Sequence, residues 1–418
     1  MRQSQLFGKT LREDPAGEIA ANAKLLERGG FVYKTMAGAY DYLPLGFRVL
    51  QNINQIIREE MGAIGGQEFF LTALQPKERW EKSGRWEALR DIMYQFKDNS
   101  GRDVGLATTH EEVVADIATR SIVSYRDLPV AVFQIQTKFR DEPRAKSGIM
   151  RGREFLMKDL YSFHRDQKDL DRFYKAADRA YRKIFRRCGL DVYVTEASGG
   201  TFTKEFTHEY QVLSDAGEDW TFYCLKCHFA QNKEVSSLKE GDKCPKCKGE
   251  IRGARSIEAG NIFKLGTKFS EAFGLLYSDT NGTKRPVFMG SYGIGPGRTM
   301  GTMVEVHHDA RGIIWPDAVA PFLVHIVELA GREGAKKVKQ EGQRLYEHLL
   351  AKGATVLYDD RDDKTPGEKF ADSDLIGIPW RIVVSEKTIT LGSLEVKKRS
   401  STKPQLIAEN ALLKKLKI

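Results

Sequence analysis

The sequence predicts an α/β (α+β) protein with a large mixed domain followed by a small α/β domain. Three observations carry this. Residues 130–139 alternate in polarity like a strand, and 154–163 read as a second strand across a polar turn, which outlines a hairpin. Segments with apolar residues at three- and four-residue steps flank that hairpin and read as amphipathic helices. From Phe322 onward strand-like and helix-like runs alternate, which marks a separate module with a mainly parallel sheet. The chain has 418 residues, 41% of them hydrophobic, enough for about two to four domains with their own cores.

The elements follow in chain order. Val49, Ile53, Ile56, Ile57 and Met61 share one face of a helix over 45–61, and Gly62, Gly65 and Gly66 stop it. Residues 67–74 read as a strand ended by Pro76, and 109–123 as a helix opening with Thr109 and Glu111 or Glu112. After the hairpin, 169–188 form a long helix whose basic end (Arg179, Arg182, Lys183, Arg186, Arg187) fits a solvated face better than an RNA contact. Trp315 to Pro321, with a proline near each end, reads as a linker. Strands at 322–327, 355–358 and 380–384, with a helix at 334–352, build the last module. Its tail, 387–418, holds eight basic residues, Lys397 and Arg399 among them, against Glu395 and Glu409.

Composition excludes several classes. No apolar run approaches the roughly 18 residues of a membrane span. The N-terminus is polar and lacks the apolar stretch of a secretory signal, so a cytoplasmic protein is expected. The net charge of +9 fits an acidic partner and simple solubility equally well.

Four of the five cysteines form two knuckles, Cys224-Leu-Lys-Cys227 and Cys244-Pro-Lys-Cys247. Each Cys-x-x-Cys can turn both thiolates to one side, and two such turns close a tetrahedron around zinc. Disulfides are disfavoured without an export signal. With all four positions filled by thiolate, the zinc is expected to be structural. Cys188 stands alone and reads as an ordinary buried thiol.

The hairpin carries the strongest chemical signal. Phe139-Arg140-Asp141-Glu142 ends its first strand, and Arg151-x-x-x-Phe155-x-x-x-Asp159 leads into the second. An arginine fork can neutralise a phosphate, a carboxylate can accept from a purine amine, and a phenyl ring can stack on a base. From spacing alone an ordinary charged hairpin fits as well. Gly290-Ser-Tyr-Gly-Ile-Gly-Pro-Gly-Arg298 would let a backbone approach a ligand and then supply charge, or simply turn before a helix.

These strings resemble motifs 2 and 3 of class II aminoacyl-tRNA synthetases: Phe-Arg-x-Glu, Arg-x-x-x-Phe-x-x-x-Asp and Gly-x-Gly-x-x-Arg. The longer strings Thr109-His-Glu-Glu112, Phe133 to Glu142, Arg153 to His164 and Arg311 to Pro321 are similar to the bacterial-type prolyl-tRNA synthetase family. So are Asp41 to Gly46 and Pro366 to Asp372, and the resemblance runs from Ser4 to at least Val384. It implies the antiparallel class II sheet over 1–223 and 259–318, a zinc-ribbon-like insert at 224–258 and an anticodon-binding domain at 319–418.

The resemblance also implies roles. Arg140 would hold the junction of proline carboxylate and α-phosphate, Glu142 the adenine amine, Arg151 the distal phosphate, and Phe155 and Arg298 the two faces of adenine. Thr109 and Glu111 would bind the imino group of proline, with His208 and Ser291 lining that pocket. His110 reads as an ordinary hydrogen-bonded histidine. The implied substrates are ATP with Mg2+, L-proline and tRNA(Pro), and the implied assembly is a homodimer. Thr72 stands where the family's dimer-interface motif carries proline, and Pro296 sits beside Arg298. The family often carries a large insertion that hydrolyses alanyl-tRNA; the compact four-cysteine segment occupies its place, so no editing in cis is expected. A class II enzyme for another amino acid, or an inactive tRNA-binding relative, are the competitors. Thr109 and Glu111 argue against the first, and the three arginines against the second.

Overall fold

The computed structural model describes every residue except Arg144, Lys146, residues 201–205, Arg332, Glu333 and Lys417. Helix α1 (Pro44–Ala63) buries the apolar stripe expected of it, Val49, Ile53, Ile56, Ile57 and Met61. The strand expected at 67–74 is broken. Only Gly66–Glu68 (β1) joins the main sheet, and Leu74–Pro76 pairs elsewhere. Side chains satisfy the backbone between them: Gln134 Oε1 accepts from Leu71 N at 3.0 Å, and Gln136 Nε2 donates to Leu71 O at 2.7 Å.

A four-residue helix, α2 (Arg85–Ala88), precedes α3 (Glu111–Ser121). Helix α3 starts two residues later than expected because the Thr109 hydroxyl binds the Glu111 carboxylate at 2.5 Å instead of capping. The hairpin β2 (Val130–Phe139) and β3 (Glu154–His164) pairs in register from Val130↔Phe163 to Phe139↔Glu154. Asp166 caps the long helix α4 (Gln167–Arg187). At its basic end Arg182 pairs with Asp178 and Arg187 with Glu59 and Glu60, as a solvated face does.

Strands β4 (Tyr193–Ala197), β5 (Thr207–Leu213), β6 (Asp219–Cys224), β7 (Ala230–Asn232), β8 (Ile251–Gly266) and β9 (Phe288–Ile294) complete a nine-stranded sheet. Its order is β5-β4-β7-β6-β8-β9-β3-β2-β1, with β5 also pairing β8. The β1–β2 and β4–β7 pairs are parallel and the rest antiparallel. Strand β8 runs unbroken through the expected ribbon boundary at 258/259, so 251–258 belong to the sheet. The glycine-rich segment is β9 itself, followed by α5 (Pro296–Val306). Pro296 opens that helix, where its missing N–H costs nothing.

Side chains alternate across this sheet. One face carries Leu160, Ile262 and Tyr292 and is covered by the aromatic stripe of α4, with Phe173 at 5.6 Å from Tyr292. The other face carries Asp159, Asn261, Ser291 and Gly293, and further along packs Phe163 and Met289 against Val113 and Phe269.

The chain forms two compact units, Met36–Ala39 with Ile53–Thr302, and Met1–Thr35 with Tyr40–Asn52 and Met303–Ile418. In the second, the Met1 ammonium donates to Val356 O at 2.8 Å and Arg2 pairs with Asp360. Its sheet comprises β10 (Val324–Leu329), β11 (Val356–Asp359), β12 (Trp380–Ser385), β13 (Leu394–Lys398) and β14 (Gln405–Ile407) in the order β11-β10-β12-β13-β14. Two pairings are parallel and two antiparallel, not mainly parallel as expected. The last strands return through connections of only eight and six residues (386–393, which holds a five-residue helix, and 399–404), shorter than a parallel crossover needs. The expected linker is partly core: Trp315 is buried, its Nε1 donating to Ile376 O at 3.0 Å. Two tail cations are also internal. Arg399 forks onto Asp309 at 2.7 and 2.9 Å, and Lys397 lies buried 3.9 Å from Asp374. Among the described residues no helix is long and apolar enough to cross a membrane.

Candidate active site

A cleft of about 430 Å³ opens over the face bearing Asp159, Asn261, Ser291 and Gly293. It gathers Thr109, Glu111, Arg140, Glu142, Arg151, Phe155, Ser291 and Arg298, so the structure joins residues nearly 190 positions apart in sequence. At Gly293 a Cβ would sit 2.9 Å from Asn261 Oδ1, so a side chain there would displace the Asn261 amide.

At one end the turn before α3 presents Glu111. Its Oε2 accepts from Thr109 Oγ1 at 2.5 Å, and its Oε1 accepts from Ser291 Oγ at 3.0 Å. A buried network beneath holds this turn. Tyr161 OH accepts from His110 N at 3.1 Å and donates to Asp159 Oδ2 at 3.0 Å, and Lys138 pairs with Asp159 at 2.8 Å. His110 Nε2 contacts Thr72 O at 3.0 Å, and burial depresses its pKa to about 4. It is therefore a neutral structural residue at pH 7.

At the other end stand three arginines. Arg140 follows β2, its Nη2 donating to Thr108 O at 3.3 Å and its guanidinium lying 5.4 Å from the Phe155 ring centre. Its Nε has no hydrogen-bond partner among the described residues. Burial, and after it the charge of Arg298, lowers the Arg140 pKa. Arg151 pairs with Glu142 at 3.1 Å and with Glu218, which also accepts from Ser147 Oγ at 3.0 Å. Arg298 Nε donates to Met150 O at 2.8 Å and its Nη1 meets Glu258 Oε2 at 3.1 Å. The cleft thus holds cations whose carboxylate partners an anionic ligand can replace.

The sequence reading missed several residues. Glu218, Asp219, Glu258 and Asn261 line the cleft. Burial, aided by Glu258, raises the pKa of Asp219 and lifts that of nearby Glu209 to about 8. A carboxylate at 258 between Ile257 and Ile262 in a strand pattern was the available signal for Glu258.

His208 is a correction. It pairs with Ile262 and so shares the face covered by α4, not the cleft face. Its Nδ1 meets Tyr174 OH at 2.8 Å, and it lines a separate cavity of about 230 Å³ with Arg182, His228 and Lys246. The neighbour Glu209, opposite Asn261, takes the cleft-side position.

The four knuckle thiols lie within 4.8 Å of one another, with Sγ–Sγ separations of 3.5 Å (Cys224–Cys247) and 3.6 Å (Cys227–Cys244). Thiolates about 2.3 Å from a tetrahedral zinc would stand about 3.8 Å apart, so the donor set fits that ion. The two turns repeat one another. His228 N donates to Cys224 O and Lys248 N to Cys244 O, both at 2.9 Å, and both residues have positive φ. Cys188 is buried, which pushes its thiol up to about 12.

Residues 94–307 match the tRNA synthetase class II core domain (G, H, P, S and T), and residues 323–417 the anticodon binding domain. The chain is 34% identical over 548 aligned positions to a proline–tRNA ligase of Moorella thermoacetica, covering 96% of this chain and 95% of the relative. It is 34% identical over 551 positions to one of Syntrophus aciditrophicus, with the same coverage. It is 31% identical over 562 positions to one of Dehalococcoides mccartyi, covering 100% and 98%. These aligned lengths exceed the 418 residues of the chain, so each relative carries stretches with no counterpart here.

Proposed function

The chain belongs to the proline–tRNA ligases among the class II tRNA synthetases, and from that premise we propose how its cleft divides the work. The reaction has two steps. The proline carboxylate oxygen attacks the α-phosphorus of ATP, forming the adenylate and breaking the bond to pyrophosphate. A terminal ribose hydroxyl of the tRNA then attacks the acyl carbon, and AMP leaves. No enzyme nucleophile is needed, so catalysis is orientation plus charge stabilisation.

Glu111 accepts from the two N–H donors of the prolyl nitrogen, with Thr109 and Ser291 orienting it. Arg140 bridges the proline carboxylate and the α-phosphate, using the Nε that has no hydrogen-bond partner among the described residues. Arg151 exchanges its carboxylate partners for the distal phosphate, and the released Glu142 accepts from the adenine amine. Phe155 and Arg298 sandwich the base. The single observation that carries this reading is the meeting of the Thr109–Glu111–Ser291 acceptor and the three arginines in one cleft.

Magnesium accompanying ATP supplies charge neutralisation at the phosphates. Asp219 and Glu258 would hold it; burial, with the charge of Glu258 adding to it, raises the pKa of Asp219, and a divalent cation would favour its charged form. Zinc bound by Cys224, Cys227, Cys244 and Cys247 would close the ribbon and take no part in chemistry. The domain at 319–418 reads the anticodon, with exposed Lys387, Lys398, Lys403 and Lys414 available to phosphates. We further assign a cytoplasmic location, a homodimer and no editing of alanyl-tRNA, since the compact ribbon occupies the place of the family's editing insertion.

Proline-dependent ATP–pyrophosphate exchange tests the reading. The expected result is exchange with proline and little with other amino acids. Exchange driven by another amino acid, or none at all, overturns it.

A further inference from the structure

We propose that Arg85 is a positioning residue for proline selection, holding the Glu111 carboxylate aimed at the substrate nitrogen. This rests on Glu111 being the acceptor for that nitrogen. Arg85 is 4% exposed, in helix α2. Its Nη1 donates to Glu111 Oε2 at 3.3 Å and to Glu112 Oε1 at 2.9 Å. Its guanidinium carbon lies 5.5 Å from the ring centres of both Trp80 and Phe269, so aromatic faces replace water around it.

The two carboxylates are adjacent and 2% and 0% exposed. Two buried neighbours of like charge repel one another, and a shared guanidinium offsets that repulsion. Burial raises the pKa of Glu112, Arg85 offsets part of that rise, and Glu111 adds to it. The hydrogen bonds set the two carboxylates apart. Glu112 Oε1 accepts from Arg85 and from Ser83 Oγ at 2.7 Å, whereas its Oε2 has no hydrogen-bond partner among the described residues. Glu111 uses both oxygens, Oε2 toward Arg85 and Thr109 and Oε1 toward Ser291 at the cleft. Glu111 is thus the carboxylate held between Arg85 behind it and the cleft in front, where a secondary ammonium needs an acceptor. Without the guanidinium, Glu111 would lose one of the donors that fix its carboxylate, and its hold on the substrate cation would weaken.

The test is pyrophosphate exchange on Arg85→Gln, Arg85→Lys, Glu111→Gln and, as a control for loosened packing, Arg79→Gln, which breaks the surface pair of Arg79 with Asp116. R85Q is expected to raise the proline KM about tenfold or more, with ATP KM within about twofold and kcat at saturating proline within about threefold. R85K keeps the charge and is expected to raise proline KM about threefold, so it carries the test should R85Q fail to fold. R79Q should leave both KM values unchanged. Unchanged proline KM in R85Q or R85K overturns the proposal, as does an equal rise in both KM values. Glu111→Gln separates the two levels. If it abolishes exchange while R85Q behaves as wild type, only the role of Arg85 fails. If it retains exchange, the reading of Glu111 fails first.

Discussion

The cleft and the four-cysteine ribbon both crowd like groups together, and they differ in how they are completed. In the ribbon four thiols stand within 4.8 Å, and the knuckle turns brace them with backbone hydrogen bonds. One ion satisfies the whole set and leaves no position open. In the cleft Arg151 and Arg298 lean on Glu142, Glu218 and Glu258, while Arg140 keeps a buried Nε with no hydrogen-bond partner among the described residues. A buried donor without a partner is costly, and at Arg140 it lines the cleft, where a ligand oxygen can satisfy it. A resident ion would close the ribbon, whereas the cleft would be closed by a substrate that must leave.

The largest test of this contrast is Arg140→Ala. Removing this cleft guanidinium is expected to cut proline-dependent exchange by roughly 10²–10³-fold or more, while tRNA affinity and folding stay near wild type. Exchange within a few-fold of wild type would make Arg140 another structural cation and erase the difference between the two sites.

Metal removal probes the other side. About one zinc per chain is expected, and its removal by chelation, or Cys244→Ser, withdraws on the order of 10 kcal/mol of folding energy from the ribbon. Hydrogen exchange should rise across residues 222–252, with activity falling less than in R140A. Protein free of zinc that shows the same protection would mean the knuckles close without an ion.

The two regions also differ in how readable they are. The ribbon is local: two Cys-x-x-Cys turns announce their own geometry. The hairpin was equally legible, since β2 matches the expected 130–139 and β3 runs one residue past 163. The cleft depends on the pairing of β9 with β3, about 130 residues before it, and with β8, about 30 residues before it, and no local pattern encodes such registers. Arg140, Arg151 and Arg298 were found through a resemblance of strings, but Glu218 and Glu258, which hold two of them, were not. Arg85 carried a signal that went unused, an arginine set between Trp80 and Trp86 in a run otherwise typical of surface. The broken strand at 67–74 was beyond reach for another reason. Its backbone partners are the side chains of Gln134 and Gln136, some 65 residues downstream.

The smallest expected effect concerns His208, where a single register step decides the role. Strand β5 carries an irregularity between Tyr210 and Gln211 where it pairs with β8, and on the near side of it His208 falls opposite Ile262 and Glu209 opposite Asn261. A histidine one position along would face the substrate; this one faces Tyr174 of α4. Burial lowers its pKa, so at pH 7 it is neutral and offers no charge to a proline carboxylate. His208→Ala should therefore cost about 1 kcal/mol of stability, the worth of one buried hydrogen bond, and leave the proline KM within about twofold. A tenfold rise in that KM at unchanged Tm would mean that the two faces of the sheet are less separate than the β5–β8 register makes them, and that the cleft extends through it.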